Sequence, residues 1–368
     1  MQEYRIDEIE NLHRFGRTNK MRCPLTLFWS GSGIEIDVKA TELWLEVETD
    51  YNQFEPWISV LVDGAPVSRQ MLQKGRYWLP ILRNMDSGTE RDVKILREVQ
   101  PMRADPASFL QIHAVCINGE FLPVKVKHGK IEFIGDSLTS GEGTIGAQKE
   151  MNWNSMVFSA EYDYAFLTAK LLNADFRIVS QSGWGFLSSW DGDPNCNIPK
   201  YYEQVCGVLQ GEHNRVLGAF EPYDFSSWRP DVVSVCLGAN DAFVFGKPGM
   251  YRDEKTGELF EQKLSADGTL KEKSRQRLIN AIVHFAEKIR HCNPDAHIFW
   301  IYGLLKTEID EILEDAVQTY AKNSGDKNLS LFGLPVTDSG TMGSREHPGI
   351  ACHALAAEQL AAEIKKYL

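Results

Sequence analysis

Four short segments of the chain together hold a nucleophile, a proton acceptor and hydrogen-bond donors suited to acyl transfer. The first is Gly135-Asp136-Ser137-Leu138-Thr139-Ser140-Gly141, which continues the apolar run IEFIG. A serine at a strand-to-helix turn holds its hydroxyl above the sheet, beside a helix N-terminus that favours developing negative charge. Helix capping by Ser and Asp accounts for the same residues. The second segment, Gln181-Ser182-Gly183-Trp184-Gly185, contains a glycine whose backbone N–H can approach a substrate oxygen with no side chain between them. A turn glycine fits there equally. The third, Gly238-Ala239-Asn240-Asp241, carries an amide that can donate to an oxyanion without losing a proton, although Asn and Asp are also turn residues. The fourth, His347-Pro348-Gly349, lies in the loop before the last helical segment, where a histidine can act as general base toward the first segment's serine. His353, inside that last segment, is the nearest competitor among the remaining histidines.

The elements that must position these residues read as follows. IEFIG (131–135), FRIVS (176–180), VVSVCLG (232–238), HIFWIYG (297–303) and LSLFG (329–333) are short apolar strands separated by amphipathic helices, such as the one carrying Leu278, Ile282, Phe285 and Ile289. Strands buried on both faces and joined by helices predict a doubly wound parallel sheet over residues 128–368. In such sheets ligands bind beyond the carboxyl ends of the strands, which is where the four segments fall. The preceding residues, 1–127, show period-two alternation instead, in Ile34-Ile36-Val38, in Leu43-Leu45-Val47 and in WISVLVDG with its Asp-Gly turn. They predict a β-sandwich. The stretches 188–199 and 247–273 read as surface insertions able to line a cleft.

Composition narrows the function. With 39 basic and 51 acidic residues the net charge is −12, so nucleic acid is not an expected partner. No apolar run approaches the ~20 residues of a membrane span, and no membrane partner is expected. The N-terminal stretch MQEYRIDEIENLHRF lacks the basic start and apolar core of a signal peptide, which together with scattered cysteines predicts a cytoplasmic location. The seven cysteines contain no C-x-x-C pair, and H-E-x-x-H is absent, so neither metal nor cofactor is expected. Gly141-Glu142-Gly143-Thr144-Ile145-Gly146 spells G-x-G-x-x-G, yet its first glycine lies well past the strand end at Ile134, which is the wrong context for a dinucleotide site.

The segments GDSLTSG, SGWG, GAND and HPG resemble the four blocks of the SGNH (GDSL) hydrolase superfamily. The β-rich region ahead of them extends the likeness to the carbohydrate esterases of family two, in which a jelly-roll module precedes the hydrolase. The resemblance implies that Ser137 is the nucleophile and His347 the base. It further implies an oxyanion hole made of the Ser137 and Gly183 backbone N–H groups and the Asn240 amide. The chain departs from the superfamily at one point: the D-x-x-H carboxylate is replaced by Ser344, and neither Arg345, Glu346 nor Asp338 takes its place. The resemblance then implies a Ser–His dyad whose imidazole is oriented by a backbone carbonyl, the third group being unassigned.

The activity implied is removal of O-acetyl groups from acetylated sugars or oligosaccharides, in the manner of an acetylxylan esterase, through an acyl-enzyme. Trp184 and Trp190 are candidates for stacking on sugar faces, although packing explains tryptophans as well. Two alternatives stand beside this expectation. One is a glycan-binding protein with a degenerate hydrolase domain, and the other is a thioesterase or lysophospholipase of the same superfamily.

Overall fold

The computed structural model describes all 368 residues. Residues 130–336 contribute a five-stranded parallel sheet whose strands are Lys130–Gly135, Asp175–Ser180, Val232–Cys236, His297–Leu304 and Leu329–Val336. The first strand lies between the second and the third, with the fourth and fifth following in order. One face of the sheet, including Ile134, Val179, Val233 and Val235, packs on helices Glu272–Cys292 and Asp310–Ser324. The opposite face, including Ile131, Phe133, Ile178 and Val232, packs on helices Tyr164–Leu172 and Ile350–Ile364. Burial on both faces is why these strands read as unbroken apolar runs. Chain reversal on either side of Lys130–Gly135 makes its carboxyl end the switch point of the sheet, where a doubly wound fold opens a crevice.

The N-terminal strands form one antiparallel sheet of nine members that folds over into a jelly roll-like sandwich. Its axis is an 18-residue strand, Gly33–Asp50, which the alternation pattern divides into two. The physical reason is a register shift between Ala40 and Glu42. Ile34, Ile36, Val38 and Ala40 point into the core on even positions, whereas Leu43, Leu45 and Val47 do so on odd ones. A bulge inserts one residue and flips the parity without ending the strand. The Asp-Gly turn is as expected: Asp63 and Gly64 take φ of 52° and 76° between strands Trp57–Val62 and Ala65–Met71, the left-handed pair a two-residue hairpin needs.

Polar contacts bind the sandwich to the parallel sheet. Arg17 is fully buried and pairs with Glu132 of the first parallel strand at 2.9 Å. The Tyr202 hydroxyl donates to the same carboxylate at 2.6 Å, so the buried charges are satisfied from both sides. The Trp29 indole N–H donates to the Val205 carbonyl at 2.7 Å. All seven cysteines are free, and no helix is long and apolar enough to cross a membrane.

Candidate active site

Ser137 follows the first parallel strand after one intervening residue, as the first residue of a short helix, Ser137–Ser140, capped by the Asp136 side chain accepting from the Leu138 N–H. Strand and cap aim its hydroxyl over the end of the sheet, where Ser137 is nearly buried. His347 comes from the loop before helix Ile350–Ile364, and its Nε2 lies 3.0 Å from Ser137 Oγ. Its Nδ1 lies 2.7 Å from the carbonyl oxygen of Arg345. A carbonyl only accepts, so Nδ1 carries the ring proton and Nε2 is left as the acceptor of the Ser137 hydroxyl. The backbone carbonyl thus occupies the position of the absent D-x-x-H carboxylate. The rival histidine, His353, is fully buried, accepts from the Tyr164 N–H through Nδ1 at 3.1 Å, and is pushed down to about 3 by burial. It makes no hydrogen bond to Ser137.

The histidine loop rests on the segment that follows the serine. Ser344 N–H donates to the Gly143 carbonyl at 2.8 Å, and Ser344 Oγ to the Ile145 carbonyl at 2.8 Å. A Cβ on Gly143 would meet the Ser344 carbonyl oxygen at 2.3 Å and His347 Cβ at 2.6 Å. Gly143 and Gly146 therefore form the bed of this loop, while Gly141 packs against the Ser159 backbone, which gives each glycine of the G-x-G-x-x-G spacing a packing reason. Arg345 and Glu346 both take φ of 56°, a left-handed conformation costly for residues with a side chain. Arg345 is held there by its Nε, 2.6 Å from Glu142 Oε1, and by a guanidinium contact to the Met151 carbonyl. Glu142 is almost fully buried, accepts also from Ser182 Oγ, and has Oε1 4.0 Å from His347 Nε2.

Gly183 and Asn240 stand after the second and third strands, flanking Ser137. The Gly183 N–H makes no hydrogen bond inside the protein. At φ of 80°, with Trp190 Cδ1 2.8 Å from where a Cβ would be, position 183 accepts only glycine. Asn240 Nδ2 lies 3.2 Å from Asp136 Oδ2 and 3.2 Å from the Trp184 carbonyl. Both contacts lie at the long end of the N–H···O range. Burial raises Asp136 to about 7 and Asp241 to about 6. The Asp241 carboxylate accepts from the backbone N–H groups of Phe186, Leu187 and Ser188 at 2.6, 2.9 and 3.4 Å. It ties the loop after Gly183 to the segment bearing Asn240.

The two tryptophans differ. Trp184 is 5% exposed, packed on Tyr201 at 5.3 Å between ring centroids, with the Arg103 guanidinium 5.3 Å above it. Burial among these neighbours leaves little of the Trp184 ring open to a sugar. Trp190 is 58% exposed beside Gly183 and keeps an open face. The two insertions are joined here, because Tyr251 OH donates to Asp191 Oδ2 at 2.9 Å and Asn195 Nδ2 to the Arg252 carbonyl at 3.0 Å. Other contributors were invisible to the motifs. Gln100, from the sandwich half, accepts the Ser182 N–H through Oε1 at 2.7 Å; no spacing rule links positions so far apart. Away from the site, Glu35, Asp37 and Asp92 bring carboxylate oxygens within 4.8 Å of one another. Lys94 and Lys127 already pair with Glu35 at 2.9 and 2.6 Å, and those ammonium groups compete with any cation.

No protein-family model matches the chain. Among solved structures it is similar to an acetyl xylan esterase from the rumen bacterium Butyrivibrio proteoclasticus, with 39% identity, a TM-score of 0.96, and coverage of 100% of this chain and 99% of that one. A family two carbohydrate esterase from Clostridium thermocellum, in complex with cellohexaose, shares the fold at a TM-score of 0.77 and 24% identity over 96% of this chain and 98% of that one. Among curated proteins, the cellulase/esterase CelE of Acetivibrio thermocellus is 28% identical over 96% of this chain, which spans only 38% of that relative's length. An acetylxylan esterase / glucomannan deacetylase of Cellvibrio japonicus is 26% identical over 59% of this chain and 57% of its own length. On the identity and coverage shared with the Butyrivibrio enzyme, this chain belongs to the same family as that acetyl xylan esterase, and it shares its fold with the family two carbohydrate esterases.

Proposed function

We propose that the protein is a serine esterase that removes O-acetyl groups from acetylated sugars or oligosaccharides. The observation that carries this reading is the hydrogen-bonded line from the Arg345 carbonyl through His347 to Ser137 Oγ. Ser137 Oγ attacks the acetyl carbonyl as His347 Nε2 takes its proton. The oxyanion that forms faces the Ser137 and Gly183 N–H groups and the Asn240 amide. Collapse breaks the bond to the sugar oxygen, which leaves with the proton from His347, and acetyl-Ser137 remains. Water, deprotonated by the same nitrogen, attacks the acetyl carbonyl, and acetate departs as Ser137 Oγ regains its proton.

The sugar assignment draws support from the acetyl xylan esterase likeness and from Trp190, whose open face borders Gly183. We read residues 1–127 as an accessory sandwich domain and 128–368 as the catalytic domain. Seven unpaired thiols fit a reducing compartment, in keeping with a cytoplasmic enzyme. The test is acetate release from acetylated xylo-oligosaccharides by wild type and Ser137→Ala, with a long-chain acyl ester and an acyl thioester as competitors. Acetate released by the wild type alone, in preference to hydrolysis of the other two esters, is the expected result. Preference for the thioester or long acyl chain would reassign the substrate.

A further inference from the structure

Glu142 has no place in the four-block motif, yet it joins the histidine loop to the segment that precedes Gly183. Its carboxylate is almost fully buried, accepts from Arg345 Nε through Oε1 at 2.6 Å and from Ser182 Oγ through Oε2, and stands 4.0 Å from His347 Nε2. Arg345 is the residue whose carbonyl orients His347, and Ser182 precedes the oxyanion glycine. Through two side-chain contacts, Glu142 therefore reaches both the base and the oxyanion loop.

The left-handed backbone at Arg345 and Glu346 makes such an anchor necessary. Consecutive non-glycine residues at φ of 56° persist only where the surroundings over-determine them. In its relaxed geometry the Arg345 carbonyl would turn away from His347 Nδ1, and the ring would be free to rotate or change tautomer. A buried carboxylate and a guanidinium in direct contact form the kind of charge-assisted bond able to hold that geometry.

We propose that Glu142 is a positioning residue of the Ser137–His347 pair, taking over the work of the absent D-x-x-H carboxylate by holding Arg345. The inference rests on the serine-esterase reading above. Glu142 itself need not touch the substrate.

The experiment compares wild type, Glu142→Gln, Arg345→Gln, the double variant and Ser137→Ala on nitrophenyl acetate, with kcat normalised to the Ser137 that a fluorophosphonate can titrate. Glu142→Gln keeps the shape of the side chain, and its melting temperature reports on folding separately. The expected result is a fall in kcat of about 10²-fold with KM little changed, a similar fall in Arg345→Gln, and no further loss in the double variant. Activity of Glu142→Gln within about twofold of wild type, with Ser137→Ala inactive, would overturn this inference and leave the esterase reading intact. Losses that multiply in the double variant would overturn the route through Arg345. Full activity in Ser137→Ala would overturn the esterase reading and this inference with it.

Discussion

Asp136 Oδ2 lies 3.2 Å from Asn240 Nδ2, so the residue preceding the nucleophile also holds the amide proposed for the oxyanion hole. The pair links the ends of two neighbouring strands, and burial raises Asp136 to about 7. A carboxyl group that binds its proton more tightly in the folded protein than in the unfolded chain stabilises fully below about pH 4. That contribution is lost as pH rises toward 7. The difference in unfolding free energy between wild type and Asp136→Asn, measured by denaturant titration, should therefore shift progressively against the wild type across this window and level off above it. An unchanging difference across the window would contradict the buried, proton-holding Asp136.

Asp241 should matter to catalysis without touching substrate. Replacing it by alanine leaves the buried N–H groups of Phe186, Leu187 and Ser188 without their acceptor and frees the loop that carries Gly183. Gly185→Ala attacks the same junction from the other side, since its Cβ would come 2.1 Å from Asp241 Oδ2. Both variants should lose about 10–10²-fold in kcat on nitrophenyl acetate, with KM moving less. A purely structural Asp241 would instead lower the melting temperature and spare kcat per titratable Ser137.

Trp190→Ala separates sugar binding from chemistry. Loss of the open aromatic face should raise KM for acetylated oligosaccharides by about 3- to 10-fold. Turnover of nitrophenyl acetate, which has no sugar to stack, should be nearly unchanged. Equal effects on both substrates would place Trp190 in support of Gly183, whose missing Cβ it crowds at 2.8 Å.

The buried Arg17–Glu132 pair, 2.9 Å apart, ties the sandwich to the strand that ends at the nucleophile. Arg17→Met leaves Glu132 charged and uncompensated and should cost about 3–5 kcal/mol of stability. Adding Glu132→Leu, which removes the orphaned charge, should return a large part of it. Chemical denaturation of the three proteins measures both effects.

Much of this architecture was legible in the residues themselves. The apolar runs 131–135, 176–180, 232–238, 297–303 and 329–333 coincide with the five parallel strands, because strands covered on both faces carry no polar alternation to blur them. Ser137, Gly183, Asn240 and His347 are expected as site residues because each stands in a short local motif at a strand end or loop. The single strand Gly33–Asp50 was read as two, since a bulge reverses the parity of its buried positions. The burial of Trp184 and the exposure of Trp190 could not be told apart, because the type of a residue does not reveal how much of it packing covers. Glu142 and Gln100 escaped notice, and the carbonyl orienting His347 was expected but not assigned to Arg345, for another reason. Their roles come from contacts between distant segments or from the main chain, and neither leaves a mark in residue spacing.

The most direct test of the central claim is to look for the acetyl group on the protein. Wild type mixed with nitrophenyl acetate, quenched before steady state and digested, should yield a peptide containing acetylated Ser137, with a burst of nitrophenol matching the enzyme concentration. His347→Ala should acquire the acetyl group far more slowly, and Ser137→Ala should acquire none there and release no acetate above background. Undiminished acetate release by Ser137→Ala, or rapid turnover with the acetyl group on another residue, would contradict the assignment of Ser137 and His347.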